Sequence, residues 1–218
     1  MPVSHPHRAI FVHVPKTAGT SVEALLGMHG EKTQIGLVPY FNQELDLEHL
    51  YGRQLQHLTA LQIREALRDD VAFATYFKFA IVRNPWERLV SALAWTDQKW
   101  ARGEELVQRD FEQQVLQVQT LFQAAQAAPA SVALPHFLTP QCLYLYDAEQ
   151  RLMVDEVLRF ERLDEEWPRV ARRLGVADRL PIRMKSHHRH YRDYYNEHTR
   201  RVVAGIYASD ARLLGYEF

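Results

Sequence analysis

Residues 9–30 read AIFVHVPKTAGTSVEALLGMHG, and this stretch decides the fold. Residues 9–14 are a short continuous apolar run with β-branched and aromatic side chains. Such a run predicts a buried strand, as in a parallel sheet covered on both faces. Pro15 ends it. Residues 20–30 predict a short helix, with Ser21 as its cap, Glu23 near its start, and Gly27 and Gly30 as stops. Between strand and helix lies a turn of small and hydroxyl residues that holds one lysine, Lys16. A helix N-terminus offers unpaired N–H groups and partial positive charge. Small residues let those groups wrap closely around an anion. Lys16 adds a mobile full charge, and Thr20 and Ser21 add hydroxyl donors. These are the parts of a phosphate cradle; an ordinary strand-to-helix turn is the alternative. The spacing is not that of a nucleotide triphosphatase, whose loop G-x-x-x-x-G-K-[ST] places lysine after its last glycine. Here Lys16 precedes Gly19 and the first glycine is missing.

A second junction repeats the pattern. YFKFAIV, residues 76–82, predicts another buried strand, and the helix RNPWERLVSALAWTDQKWA follows with Pro85 in its first turn. Leu89, Leu93 and Trp100 fall on one side of it. Arg83 stands at the carboxyl end of the strand, where α/β proteins bind ligands. Its planar fork suits bidentate phosphate contact. Ser91 follows eight residues later, about two turns into the helix, and can serve the same anion. Taken singly, Arg83 could be a surface arginine and Ser91 a packing serine.

The rest of the chain continues the alternation. Residues 31–56 show little periodicity and predict a long loop or lid. TALQIREALRDD predicts a helix capped by Thr59, with Leu61, Ile63 and Leu67 apolar. Residues 104–128 predict a polar helix with Leu106, Phe111, Val115, Val118 and Phe122 as its buried stripe. APASVALPHFLTPQ predicts a proline-punctuated loop. VDEVLRFE predicts a third strand, LDEEWPRVARRLGV a helix stopped by Gly175, RLPIRMKSHHRHYRDYY a basic loop, and residues 196–218 one final helix. Strands alternating with helices predict one α/β domain over residues 1–218 with a parallel sheet.

Composition sets the outer limits. The 218 residues are 47% hydrophobic, enough for a substantial core, and the net charge is −1. No global electrostatic drive toward nucleic acid or an anionic membrane follows, so any anion site must be local. The single cysteine, Cys142, excludes an internal disulfide and a cysteine-rich zinc site. No apolar run approaches the roughly 20 residues of a membrane helix. The opening MPVSHPHR lacks the pattern of a signal peptide. The expectation is a soluble cytoplasmic protein without an integral membrane segment.

HVPKTAGTS and FAIVRNPWERLVSAL together resemble the sulfotransferases, the cytosolic-type and carbohydrate superfamily. The nearest group is that of heparan sulfate 2-O-sulfotransferase-like enzymes and their bacterial relatives. The first motif is similar to the family's 5'-phosphosulfate loop and the second to its 3'-phosphate motif. The likeness continues through QHLTALQIREAL, LPHFLTPQCLYL, LRFERLDEEW, KSHHRHYRDYY and YASDARLLGYEF. It implies a P-loop-like three-layer fold, a central parallel sheet flanked by helices, that binds 3'-phosphoadenosine 5'-phosphosulfate (PAPS). Lys16, Thr17, Ala18, Gly19, Thr20 and Ser21 would then hold the 5'-phosphosulfate. Arg83 and Ser91 would hold the 3'-phosphate, with Lys185 and Arg189 of the late basic loop closing over it.

The implied reaction moves a sulfuryl group to an acceptor hydroxyl or amine. Lys16 would neutralise charge on the bridging oxygen as the nucleotide leaves. His57, just ahead of a helix, is the expected base and matches the histidine several family members use so. His136 is the second candidate, as an acceptor-site or structural residue. His13 is expected to be buried and hydrogen-bonded, and Glu161 structural. The scheme requires no metal, because side chains supply the cations. The expected acceptor is a cytoplasmic glycan, glycolipid or small metabolite. Two rivals stand beside this reading: a P-loop nucleotide kinase or other phosphotransferase, and a non-catalytic nucleotide-binding protein on the same fold.

Overall fold

A computed structural model of the chain describes residues 3–28, 55–67, 70–96, 108–128, 131–181 and 189–218. They group into two compact units. Residues 1–82 and 143–184 form the first, and residues 83–142 and 185–218 the second.

The first unit holds the sheet. Strand β2 (Ala9–Val12) pairs in parallel with β3 (Phe77–Val82), and β3 pairs in parallel with β4 (Glu156–Arg159). A two-residue strand, β1 (Val3–Ser4), adds antiparallel to β2 and gives the order β1-β2-β3-β4. The α/β class and the three predicted strands are therefore present, and the sheet is mostly parallel. Strand β1 was not legible: two residues are too few to show alternation.

Period-two alternation divides the sheet's side chains between two faces. Ala9, Phe11, Phe77, Phe79, Ile81 and Leu158 form one apolar cluster with two helices. Helix α1 (Gly19–Leu25) contributes Val22, and a later helix, Leu163–Leu174, contributes Trp167, Val170 and Leu174. Ile10, Val12, Ala80 and Val82 on the opposite face are equally buried, so both faces are covered. This explains why β2 and β3 read as unbroken apolar runs. Gly175 ends the Leu163–Leu174 helix at φ 69°, as expected of a glycine stop.

Two further helices precede β3. Helix α2 (Ala60–Ala66) begins at Thr59, whose hydroxyl accepts from the Gln62 N–H while the Gln62 side chain accepts from the Thr59 N–H. This reciprocal capping box confirms the predicted cap. Helix α3 (Asp70–Thr75) was not foreseen. The expected cap of α1 is corrected. Ser21 lies inside the helix, and the cap position is Ala18, in the left-handed region at φ 68° and without a side-chain cap bond. Gly27 does take positive φ, 67°, after that helix.

The second unit is helical. Helix α4 (Pro85–Thr96) starts at the proline, and α5 (Gln108–Ala127) buries Phe111, Val115, Val118 and Phe122, the predicted stripe. Leu89 and Leu93 of α4 join them in one core with Trp86, Tyr191, Tyr194, Tyr195, Val203 and Tyr207. Leu106 and Trp100 lie outside the described residues. The single final helix is corrected to two, α8 (Glu197–Ile206) and α9 (Ala208–Leu214), after the short α6 (Cys142–Leu145) and α7, the Leu163–Leu174 helix. The break falls at Tyr207, at φ −107° and ψ 30°, whose phenol donates to the Leu138 carbonyl at 2.9 Å. A tertiary bond thus accompanies the break where periodicity shows none.

Candidate active site

The turn between β2 and α1 is backbone-strained. Lys16 has φ 70° and Ala18 φ 68°, two non-glycine residues in the left-handed region within three positions. Each costs about 1–2 kcal/mol. Left-handed residues set into a turn bring successive N–H groups to one side, the pattern of anion-binding concavities. Thr17 is fully buried, and its hydroxyl donates to the Val14 carbonyl at 2.8 Å, so its side chain braces the turn from within. Lys16 and Thr20 are half-buried and Ser21 is buried. The Ser21 N–H donates to the Ala18 carbonyl at 3.0 Å.

Beneath this turn lies His13, one residue past β2 and 4% exposed. Its Nδ1 is 2.9 Å from Oε1 of Glu23, which is 1% exposed. A carboxylate only accepts, so Nδ1 of His13 carries the proton. The opposite edge of the ring lies against Gly19: a Cβ there would stand 2.0 Å from His13 Cδ2 and 2.1 Å from Nε2. Glycine at position 19 is therefore needed for close approach, not for its φ. The expectation of a buried, hydrogen-bonded His13 holds. Glu23 as its partner was not foreseen; a glutamate ten residues from a strand-end histidine carries no sequence signal for such a pair.

His57 packs against His13. It ends a 3-10 turn, Leu55–His57, ahead of α2. Its Nδ1 is 3.1 Å from the His13 carbonyl oxygen, and the two imidazole centroids are 4.4 Å apart. Its Nε2 is 2.9 Å from the Gln56 side-chain amide nitrogen. A carbonyl only accepts, so Nδ1 carries a proton. Lys16 and Gly19 of the turn, His13, Glu23 and His57 thus belong to one neighbourhood of the first unit.

The second unit carries Arg83, 6% exposed. Gln141, fully buried, engages its backbone twice: Oε1 accepts from the Arg83 N–H at 2.9 Å and Nε2 donates to the Arg83 carbonyl at 2.7 Å. Asp210 in turn accepts from the Gln141 and Cys142 N–H groups at 2.9 and 2.8 Å. The Arg83 guanidinium meets Glu87 Oε1 at 2.8 Å, one turn along. Asn84 caps α4 by accepting from the Trp86 and Glu87 N–H groups. Ser91 is 3% exposed.

His136 is half-buried with its ring edge-on to Phe137. Its loop is anchored by Arg88, 1% exposed, which donates to the Phe137 and Thr139 carbonyls at 3.2 and 2.7 Å. Arg189 is exposed; its guanidinium lies 5.3 Å from the Tyr194 ring centroid. Lys185 lies outside the described residues. Among the described residues, no group of three or more His, Cys, Asp or Glu is arranged to hold a metal ion, and no helix is long and apolar enough to cross a membrane.

A model of the sulfotransferase family matches residues 1–217. The match spans nearly the whole chain, so the chain belongs to the sulfotransferase family. Comparison with curated proteins and with solved structures finds no match. The family fits the α/β, P-loop-like class, and it makes the chain a transferase with a nucleotide cosubstrate and an acceptor.

Proposed function

We propose that this chain moves a sulfuryl group from PAPS to a hydroxyl, or an amine, of a glycan, glycolipid or small metabolite. The observation that carries the reading is the strained Lys16–Ala18 turn at the head of α1, with the His57 ring held by the His13 carbonyl just past the same strand. Strained backbone of this kind clusters at active sites and ligand clamps.

The donor set fits an anion. The turn offers backbone N–H groups, the Thr20 and Ser21 hydroxyls and the Lys16 ammonium. Arg83, Ser91, Arg189 and Lys185 are the groups that would hold the 3'-phosphate. The bound phosphosulfate supplies the sulfuryl group and a stable nucleotide leaving group. His57 Nε2 takes the proton of the acceptor hydroxyl, exchanging the Gln56 amide for it. The acceptor oxygen–sulfur bond forms as the bond from sulfur to the bridging oxygen breaks. Lys16 places its charge against that oxygen, where negative charge accumulates. His136 would face the acceptor. Side chains supply every charge that this scheme uses, so it needs no metal. One domain over residues 1–218, acting in the cytoplasm, completes the reading.

Calorimetric binding of adenosine 3',5'-bisphosphate in the presence of chelator tests it, with ATP and adenosine 5'-phosphate alongside. Selective binding of the bisphosphate is expected. Preference for ATP, or no binding of any of the three, overturns the reading and favours a kinase or a protein without this nucleotide site.

A further inference from the structure

Arg83 directly follows β3, and one side chain pairs both its N–H and its C=O. Gln141 is fully buried, and its side-chain amide spends its acceptor and a donor on this double bond, at 2.9 and 2.7 Å. A buried amide is tolerated only when its donor and acceptor are both used. Asp210 is fully buried too, and each of its carboxylate oxygens accepts one N–H, from Gln141 and from Cys142. A carboxylate so deep needs such donors. The order of support is thus Asp210 to the Gln141 backbone, and the Gln141 side chain to the Arg83 backbone. All four residues belong to the second unit. Glu87 then holds the far end of the Arg83 side chain.

We infer that Gln141 and Asp210 are positioning residues for Arg83, and that through it they set how strongly the protein distinguishes a nucleotide with a 3'-phosphate from one without. The inference rests on the reading that Arg83 binds that phosphate. A guanidinium selects a phosphate by the direction of its two N–H bonds, so an error in the position of its backbone is an error in recognition. Fixing the Arg83 N–H and C=O with one planar amide removes the freedom of the peptide units on both sides. A network serving stability alone would have no reason to affect one nucleotide more than another.

The test compares adenosine 3',5'-bisphosphate with adenosine 5'-phosphate on the full chain, by calorimetry, in wild type, Gln141→Glu and Asp210→Asn. Gln141→Glu keeps the shape and the acceptor but loses the donor to the Arg83 carbonyl. Asp210→Asn keeps one acceptor oxygen and turns the other into a donor facing an N–H. The preference for the bisphosphate should fall by about tenfold or more, the weight of one charge-assisted hydrogen bond. Affinity for adenosine 5'-phosphate should hardly change. In an Arg83→Ala background, Gln141→Glu should have no further effect on the preference. Equal losses for both nucleotides, an unchanged preference, or failure of both variants to fold would overturn the inference and leave the network a staple. A wild-type protein that binds another nucleotide but shows no preference for the bisphosphate would overturn the 3'-phosphate reading itself, a distinct result.

Discussion

His57 Nδ1 donates to the His13 carbonyl oxygen at 3.1 Å, while the His13 ring lies against Gly19 of the turn between β2 and α1. One residue therefore touches both halves of the proposed chemistry. Its backbone holds the Nδ1 proton of the proposed base, and its side chain supports the turn that would hold the sulfuryl donor. Glu23, bonded to His13 Nδ1 at 2.9 Å, holds that ring in place from helix α1.

Replacing His57 by alanine should remove the base and leave the turn intact. Turnover on a hydroxyl acceptor should fall by about 10²- to 10⁴-fold, the usual weight of general-base catalysis. Affinity for adenosine 3',5'-bisphosphate should stay within about twofold, since the proposed base would contact the acceptor rather than the nucleotide. Steady-state turnover and calorimetry on one preparation decide it. Unchanged turnover would remove His57 from the base role.

Gly19→Ala should be costly, because its Cβ would stand 2.0 Å from a ring atom of a buried, hydrogen-bonded histidine. Overpacking of this kind costs about 1–3 kcal/mol. The pairing with His13 makes the claim specific. In a His13→Ala background the clash disappears, so adding Gly19→Ala should cost far less there than in wild type. Urea denaturation of the four proteins of this cycle gives the coupling. Additive costs would show that the alanine is rejected for another reason.

The two parallel junctions were legible because each is a local pattern. An apolar run, a proline or arginine at its end, and a helix start can be read in order along the chain. Thr59 was legible for the same reason, since its capping box spans only three residues. What the sequence concealed is tertiary. Gln141 and Asp210 read as an ordinary loop glutamine and a helix aspartate, and only the fold brings them to the Arg83 backbone. Ser21 misled because a hydroxyl near a helix start is the usual cap, whereas here the turn takes the left-handed route through Ala18. The long C-terminal periodic segment concealed its break at Tyr207, where the fold gives the phenol a carbonyl partner.

Lys16 separates stability from activity. Its φ of 70° is a conformation that glycine adopts without penalty. Lys16→Ala and Lys16→Gly should both lose transfer, by about 10²-fold or more if the ammonium stabilises the leaving oxygen. They should differ in stability: the glycine variant should be the more stable of the two by up to about 1 kcal/mol. Transfer assays and thermal denaturation measure the two effects independently. A variant without lysine that transfers at the wild-type rate would sink the catalytic role. An alanine variant as stable as the glycine variant would sink the claim of strain.

Alkaline pH should unfold the second unit through two tyrosines. Burial pushes the Tyr195 phenol well above its ordinary value of 10.0, with Tyr207 and Tyr191 adding to the rise. Tyr207 is pushed up mainly by burial, with Asp210 adding to the rise and Arg88 opposing it. Both phenols donate to carbonyls, Tyr195 to Trp86 and Tyr207 to Leu138, each at 2.9 Å. The folded pKa is raised and the unfolded one is ordinary. The unfolded chain therefore releases these protons first as pH climbs past 10.0, and binds fewer than the native state. Stability is full below that pH and falls above it. Tyr207→Phe should lose about 1 kcal/mol at neutral pH with its hydrogen bond, yet show a shallower fall in alkali. Urea midpoints from about pH 8 to about pH 11 measure both. Equal alkaline slopes for wild type and Tyr207→Phe would show that this phenol does not stay protonated in the folded state, and that other groups drive the loss.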